Sequence, residues 1–431
     1  MKKLFVASAF VLAGLGLMSA PTILAQAPPA DQITIKDQVE YNAYNNVVTQ
    51  TDPKAKATAG ESFLQTYPQS IVKKTVLGAL IDAYATYDPA KTVDAAQRML
   101  QIDPNNLKAM YLVVFIKKQQ SAQNPAQQAQ LLDDAAALAT KGLAATKPDE
   151  VKDEDFKKQK ATTDPFFHSV LAYDDIYSKK DLKAAIAEFR TELEMLPPDA
   201  TKVAPALNDT LILGQTYSQL QPPDMVNSVW FLARAEDFAP DNFKPQIDKQ
   251  ARYWYKRYHG KEDGFDDIKT KAAASVFPPT DFTVKPADTP ADIANGVVAS
   301  TPDLSTLALA DKEFILANAS KENADKVWDT IKDKTSEIPG TVIAATASQI
   351  QIAVTEDAKT DKKADFTVNL KTPLADKDVP AAGTELKGLI GTFDSYTQSP
   401  AQIILRDGEI QVEKKKPAPT HKPAAGHHPA H

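Results

Sequence analysis

Five short stretches of this chain end in the same way. "FLQTYPQS" (63–70), "MLQIDPNN" (99–106), "GLAATKPD" (142–149), "ELEMLPPD" (192–199) and "ARAEDFAPDN" (233–242) each carry a helix-forming run into a proline followed by polar residues. Proline cannot continue a helix but is accepted at the start of one, and an Asn or Asp beside it caps the helix that follows. The prolines are Pro68, Pro104, Pro148, Pro197 and Pro240, spaced 36, 44, 49 and 43 residues apart. Recurrence in this range predicts stacked helix–turn–helix units, each burying its apolar face against its neighbours. Apolar residues return at i, i+3, i+4 and i+7 from about residue 31 to 276, as in "TVLGALIDAY" (75–84) and "KAMYLVVFIKKQ" (108–119).

Two units carry more detail. "LGQTYSQLQPPDMVNSVWFLARAEDFAP" (213–240) sets Leu213, Gly214 and Tyr217 in one helix, then Ser228, Leu232, Ala235 and Pro240 along the next. "AAIAEFRTELEMLP" (184–197) supplies Ala185, Phe189, Leu193 and Pro197. Small residues are needed where two helices approach closely, and a large apolar residue fills the space between them. In these residues the chain resembles the tetratricopeptide-repeat family, over a little more than half of its length. It departs from the family in its longer spacings, in an apparent two-residue insertion near Pro222-Pro223, and in the stretch 147–165, which reads as an inserted loop. The resemblance implies a helical-hairpin array (an α-solenoid) over 28–276, whose concave face, lined by the first helix of each pair, takes a protein or peptide. In the clearest unit the family's groove positions fall at Asn208, Leu211, Gln215 and Ser218. They lack the Lys, Asn and Arg set with which family members clamp a C-terminal carboxylate.

The first residues, "MKKLFVASAFVLAGLGLMSAPTILAQA", place Lys2 and Lys3 before an apolar stretch and Ala25-Gln26-Ala27 after it. That order is a secretory signal peptide (1–27) cleaved after Ala27, with an uncleaved anchor as the alternative. The expected location is periplasmic or secreted. No later run is long and apolar enough to span a membrane, so no stable membrane insertion is expected after cleavage. Cysteine is absent from the chain, which excludes acylation as a lipoprotein, thiol nucleophiles and thiolate metal sites. The net charge of −7 disfavours phosphate backbones, and nucleic acid is not expected as a partner.

Past the array, residues 277–300 are rich in Pro, Asp and Thr and read as a linker or ordered crossover, followed by a helical segment at 301–337. The periodicity then changes to alternation: Ile350, Ile352 and Val354, then Phe366, Val368 and Leu370. "QIILRDGEIQV" (402–412) reads as a hairpin turning at Asp407-Gly408. Residues 338–412 are thus expected to form a small antiparallel β-barrel or sandwich, which looks like an OB-type barrel in strand order and length. Seven Lys/Arg against ten Asp/Glu over 340–411 argue against a phosphate-tracking groove there. The tail 413–431, with His421, His427, His428 and His431, is a Lys/Pro/His stretch expected to be disordered. The predicted fold class is therefore mainly α, a helical array followed by a small β domain.

Chemistry-bearing motifs are missing. There is no G-x-S-x-G elbow, H-E-x-x-H helix, P-loop or dinucleotide fingerprint. His168 and His259 are the only histidines outside the tail, and His168 reads as structural. The pairs Asp133-Asp134, Asp174-Asp175 and Asp266-Asp267 are neighbours in sequence, and i, i+1 residues of a helix do not face each other. "QARYWYKRYHG" (250–260) interleaves aromatic and basic residues; on a helix Ala251, Trp254, Tyr255 and Tyr258 share a packing face. Tyr253 and Arg257 are left as candidate partner contacts. The sequence thus predicts a non-enzymatic protein-interaction scaffold with no catalytic residue, cofactor or metal, or alternatively a glycan-binding envelope protein using the β module.

Overall fold

The computed structural model describes residues 35–411; the predicted signal peptide and the C-terminal tail lie outside the described residues. The chain divides into two compact units, 1–287 and 288–431. Among the described residues the first contains twelve α-helices: α1 (Gln38–Thr49), α2 (Pro53–Thr66), α3 (Lys73–Tyr84), α4 (Pro89–Ile102), α5 (Leu107–Gln123), α6 (Gln128–Leu143), α7 (Asp153–Asp174), α8 (Leu182–Met195), α9 (Ala206–Gln219), α10 (Met225–Phe238), α11 (Lys244–His259) and α12 (Phe265–Ala274). From α1 to α11 each packs on its sequence neighbours, α12 packs on α10, and all five motif prolines fall just after an even-numbered helix, α2 to α10. The proline closes a helix pair, as the recurrence requires.

"MLQIDPNN" shows how the turn works. Pro104 ends α4, and the Asn106 side chain accepts from the Ala109 backbone N–H at 3.0 Å, capping α5. Asn105 reaches the next motif, donating to the Thr146 hydroxyl at 3.1 Å. Lys74, at the start of α3, bonds Asp103 at 2.8 Å and also Glu150 of the α6–α7 turn, so three successive turns are tied along one edge. Asn106→Ala removes a cap and is expected to lower stability by about 1 kcal/mol, measured by urea unfolding.

One expectation is corrected here. Residues 147–165 are not simply an inserted loop, because α7 starts at Asp153 and runs through Pro165. The proline removes one ladder bond, but the helix is held from both sides. Lys160 donates to the last carbonyls of α6, Gly142 at 3.2 Å and Leu143 at 2.7 Å, and Phe167 is fully buried beside Gly142.

The stretch 277–300 contains the boundary between the two units, at 287/288, and is an ordered segment. Val276, Phe277, Phe282 and Val284 pack on the core of the helical unit, with Phe282 edge-on to Trp230 at 4.7 Å. Residues from Pro290 to Ser300 form α13, opened by a capping box between Thr289 and Asp292. Thr, Pro and Asp in "DTPAD" are helix-start chemistry as much as linker composition.

In the second unit α13, α14 (Leu309–Asn318) and α15 (Lys321–Asp329) share one core with the sheet, so 301–337 is part of the β unit. The strands are β1 (Thr335–Glu337), β2 (Gly340–Ala345), β3 (Gln349–Ala353), β4 (Phe366–Leu370), β5 (Glu385–Leu386), β6 (Leu389–Gln398) and β7 (Ala401–Ile410), with a short α16 (Glu356–Asp361) before β4. They form one curled sheet in the order β1-β6-β7-β4-β3-β2-β5. The inward face carries Ile350, Ile352, Phe366, Val368, Ile403 and Leu405, all buried, as the alternation predicts.

The predicted antiparallel barrel differs from this sheet in two respects. β4 and β7 run parallel, and β1 and β5 remain edges. The hairpin also turns elsewhere. β6 and β7 are joined at Ser399-Pro400, whereas Asp407 (φ 54°) and Gly408 form a bulge inside β7. A Cβ on Gly408 would stand 2.5 Å from Val368 Cγ1, so the glycine permits a close approach of β4.

Candidate binding face and a buried polar network

The predicted groove positions lie on α9, and the aromatic segment forms α11. The Gln215 side chain donates to the Gln250 side-chain oxygen at 3.3 Å, joining the two helices through an amide pair. Asn208 is half-buried, and its Oδ1 has no hydrogen-bond partner among the described residues. Ser218 donates to the Gln215 carbonyl at 2.7 Å. Leu211 is a correction: at 3% exposure it belongs to the core and cannot meet a partner. The pair-to-pair packing covers it, because α9 is apolar on more of its circumference than a one-sided helix.

On α11, Ala251 and Tyr255 are in the core, while Trp254 and Tyr258 are half-buried. The Tyr255 hydroxyl donates to the Asp263 carbonyl at 2.7 Å. Two basic residues of the segment are paired within the chain: Arg252 with Asp248 at 2.8 Å and Asp266 at 3.0 Å, Lys256 with Glu262 at 3.4 Å. Tyr253 is 54% exposed, edge-on to Trp254 at 5.1 Å. Arg257 stands 5.9 Å from the Trp254 ring and donates to the Tyr253 hydroxyl at 3.3 Å. Tyr253, Trp254 and Arg257, at i, i+1 and i+4, thus form one aromatic–cationic group, with Arg257 making no ion pair among the described residues. The structure brings Gln215 and Gln250 together; it shows no contact of Asn208, Leu211 or Ser218 with Tyr253 or Arg257.

A second group was not legible in the sequence. Lys118 of α5 donates to the Ser169 hydroxyl of α7 at 2.7 Å, and Ser169 donates to Asp209 of α9 at 2.8 Å. Tyr173 hydrogen-bonds the same Asp209 and lies 4.2 Å beneath the Lys118 ammonium. Glu192 of α8 is within hydrogen-bonding reach of Asp209, and its Oε2 has no other partner among the described residues. Ser169 and Asp209 are 1% exposed and Glu192 is 3% exposed. Burial, and then the neighbouring Asp209, push the Glu192 carboxyl well above its usual range. The hint in the sequence is an Asp inside the apolar run "ALNDTLILG" and a Ser inside "FFHSVLAY", each on a stripe that otherwise reads as core.

Several other charged groups are paired within the chain. His168 Nδ1 lies 2.6 Å from Glu188 Oε2, joining α7 to α8. Asp134 bonds Lys117 at 2.7 Å, and Lys179 bonds both Asp174 and Asp175 at 2.9 Å. In the β unit Glu313 faces Asp365 and Asp357, and burial together with those charges pushes its carboxyl up to about 7. Asp365 itself accepts from the Val354 and Thr355 backbone N–H groups at 2.8 and 2.9 Å. No group of three or more His, Asp or Glu among the described residues is arranged to hold a metal ion.

Fold and geometry together define a chain of paired helices followed by a curled seven-stranded sheet. Neither a family model nor a curated protein sequence matches it.

Proposed function

We propose that this protein is an exported, non-enzymatic scaffold whose tetratricopeptide-like helical unit binds a protein or peptide partner. The observation that carries the reading is the face built by α9 and α11. There the Gln215–Gln250 amide pair offers hydrogen bonds to an extended chain, and Tyr253 and Arg257, exposed beside the half-buried Trp254, offer an anchor. Tyr, Trp and Arg are the side chains that most often carry interface energy. The close approach of α9 to α10 supports the family reading: a Cβ on Gly214 would stand 3.0 Å from the Leu232 backbone nitrogen. In the β unit, the β2-β3-β4 meander with β7 returning parallel beside β4 is compatible with an open OB-like arrangement.

The test is affinity capture from an envelope extract with the mature chain and with its Tyr253→Ala/Arg257→Ala variant. The expected result is a specific partner whose affinity falls by at least tenfold in the variant, about 1.4 kcal/mol or more. Recovery of no specific protein, or equal recovery by both chains, overturns the reading. A glycan-binding role has one observation in its favour, the uncharged amide and hydroxyl ladder on the outer sheet face. There Gln349 donates to Asn369 at 3.0 Å and Gln402 to Thr367 at 2.7 Å. Co-sedimentation with cell-wall polysaccharide separates the two readings.

A further inference from the structure

Two carboxyl groups, Glu192 and Asp209, are buried side by side, and among the described residues a single cation, Lys118, reaches them, through the Ser169 hydroxyl. Two ionised carboxylates in that setting would leave one negative charge buried without a partner, at a cost that proteins avoid by keeping a proton. Asp209 already accepts from Ser169 and Tyr173. Glu192 has an oxygen with nothing to accept from, so it is the group that carries the hydrogen. We propose that Glu192 holds a proton that it donates to Asp209, so that this shared proton locks α8 to α9 and its loss on raising pH opens the helical stack at that seam. The inference is independent of which partner the molecule binds.

The groups facing Glu192 are Lys118 from α5, Ser169 and Tyr173 from α7, and Asp209 from α9, with Tyr177 one turn beyond Tyr173. On its own helix Glu188, one turn back, is taken by His168. The Lys179–Asp174–Asp175 cluster lies beyond the opposite end of α8. With the folded-state pKa raised by burial and by Asp209, the sign is fixed. The contribution to stability is complete below the ordinary carboxyl range, and it is lost as pH rises from there through the raised folded value. Each pH unit across that window lowers the folding constant by up to about tenfold for one proton.

Equilibrium unfolding of the full chain and of Glu192→Gln over a pH series tests this. The glutamine keeps a donor for Asp209 but cannot ionise, so the expected result is a variant without this slope, as stable as the wild type or more so above neutrality. Slopes from groups other than Glu192 are common to both proteins and cancel in their difference. A difference that does not change with pH overturns the proposal. Should Glu192→Gln fail to fold, infrared titration and hydrogen exchange of the wild type decide. A protonated-carboxyl carbonyl band must fade together with protection of the α8 and α9 amides as pH rises. Loss of the band with those amides still protected, or no such band, overturns it.

Discussion

Replacing Arg234 with methionine is expected to lower the stability of the helical unit by about 3–5 kcal/mol, because it leaves several buried acceptors without a donor at about 1–3 kcal/mol each. Arg234 is 1% exposed on α10. Its Nη1 donates to the carbonyls of Ala272, Ala273 and Ser275 at 2.8, 3.2 and 3.0 Å, and its Nη2 donates to the Thr201 hydroxyl at 2.8 Å. The last carbonyls of a helix lack intrahelical partners and carry its negative pole. One guanidinium therefore finishes α12 and ties it to the turn before α9. Methionine fills similar space and leaves those acceptors buried without donors. Arg234→Lys keeps the charge but not the fork, and should fall between the two. Urea unfolding reads the loss, with amide exchange rising first in α12; a change below about 1 kcal/mol would show that water replaces the fork.

The second large effect is expected in the β unit, where Phe366→Ala should cost about 3–5 kcal/mol. Phe366 is fully buried on β4, in register with Ile352 on one side and Ile403 on the other. It sits in the core that the sheet shares with Ile315, Leu316, Val327 and Trp328 of the covering helices. The loss combines apolar transfer with the cavity left behind. Phe366→Leu refills most of that volume and should cost less than half as much. Exchange rates of the β3, β4 and β7 amides measure both variants. Equal effects would mean that the site collapses around the smaller residue.

How much was legible follows from how far each feature reaches along the chain. The proline turns were readable because Pro104, Asn105 and Asn106 act on backbone within a few residues. The inward strand residues were readable for the same reason, since alternation is local. Asp407-Gly408 misled because the dipeptide suits any place needing φ above zero. Whether it turns a hairpin or bulges a strand depends on Val368, forty residues earlier. Pro165 misled in the opposite direction, because contacts made by Lys160 and Phe167 with α6 carry the helix through it.

On the candidate face, the helical positions of Asn208, Gln215, Tyr253 and Arg257 could be read from spacing. The burial of Leu211 could not, since it depends on what the neighbouring helix pairs cover. Local sequence signals specify that this chain pairs its helices, where each pair ends, and that alternating strands follow. Capping, proline sterics and periodicity act within a turn or two of backbone. Which polar side chains are sealed together is set by the packing of the helices on one another. Lys118, Ser169, Tyr173, Glu192 and Asp209 come from four helices and meet only when α5, α7, α8 and α9 stack. Burial of charge is a property of that assembled packing and is carried by no single segment.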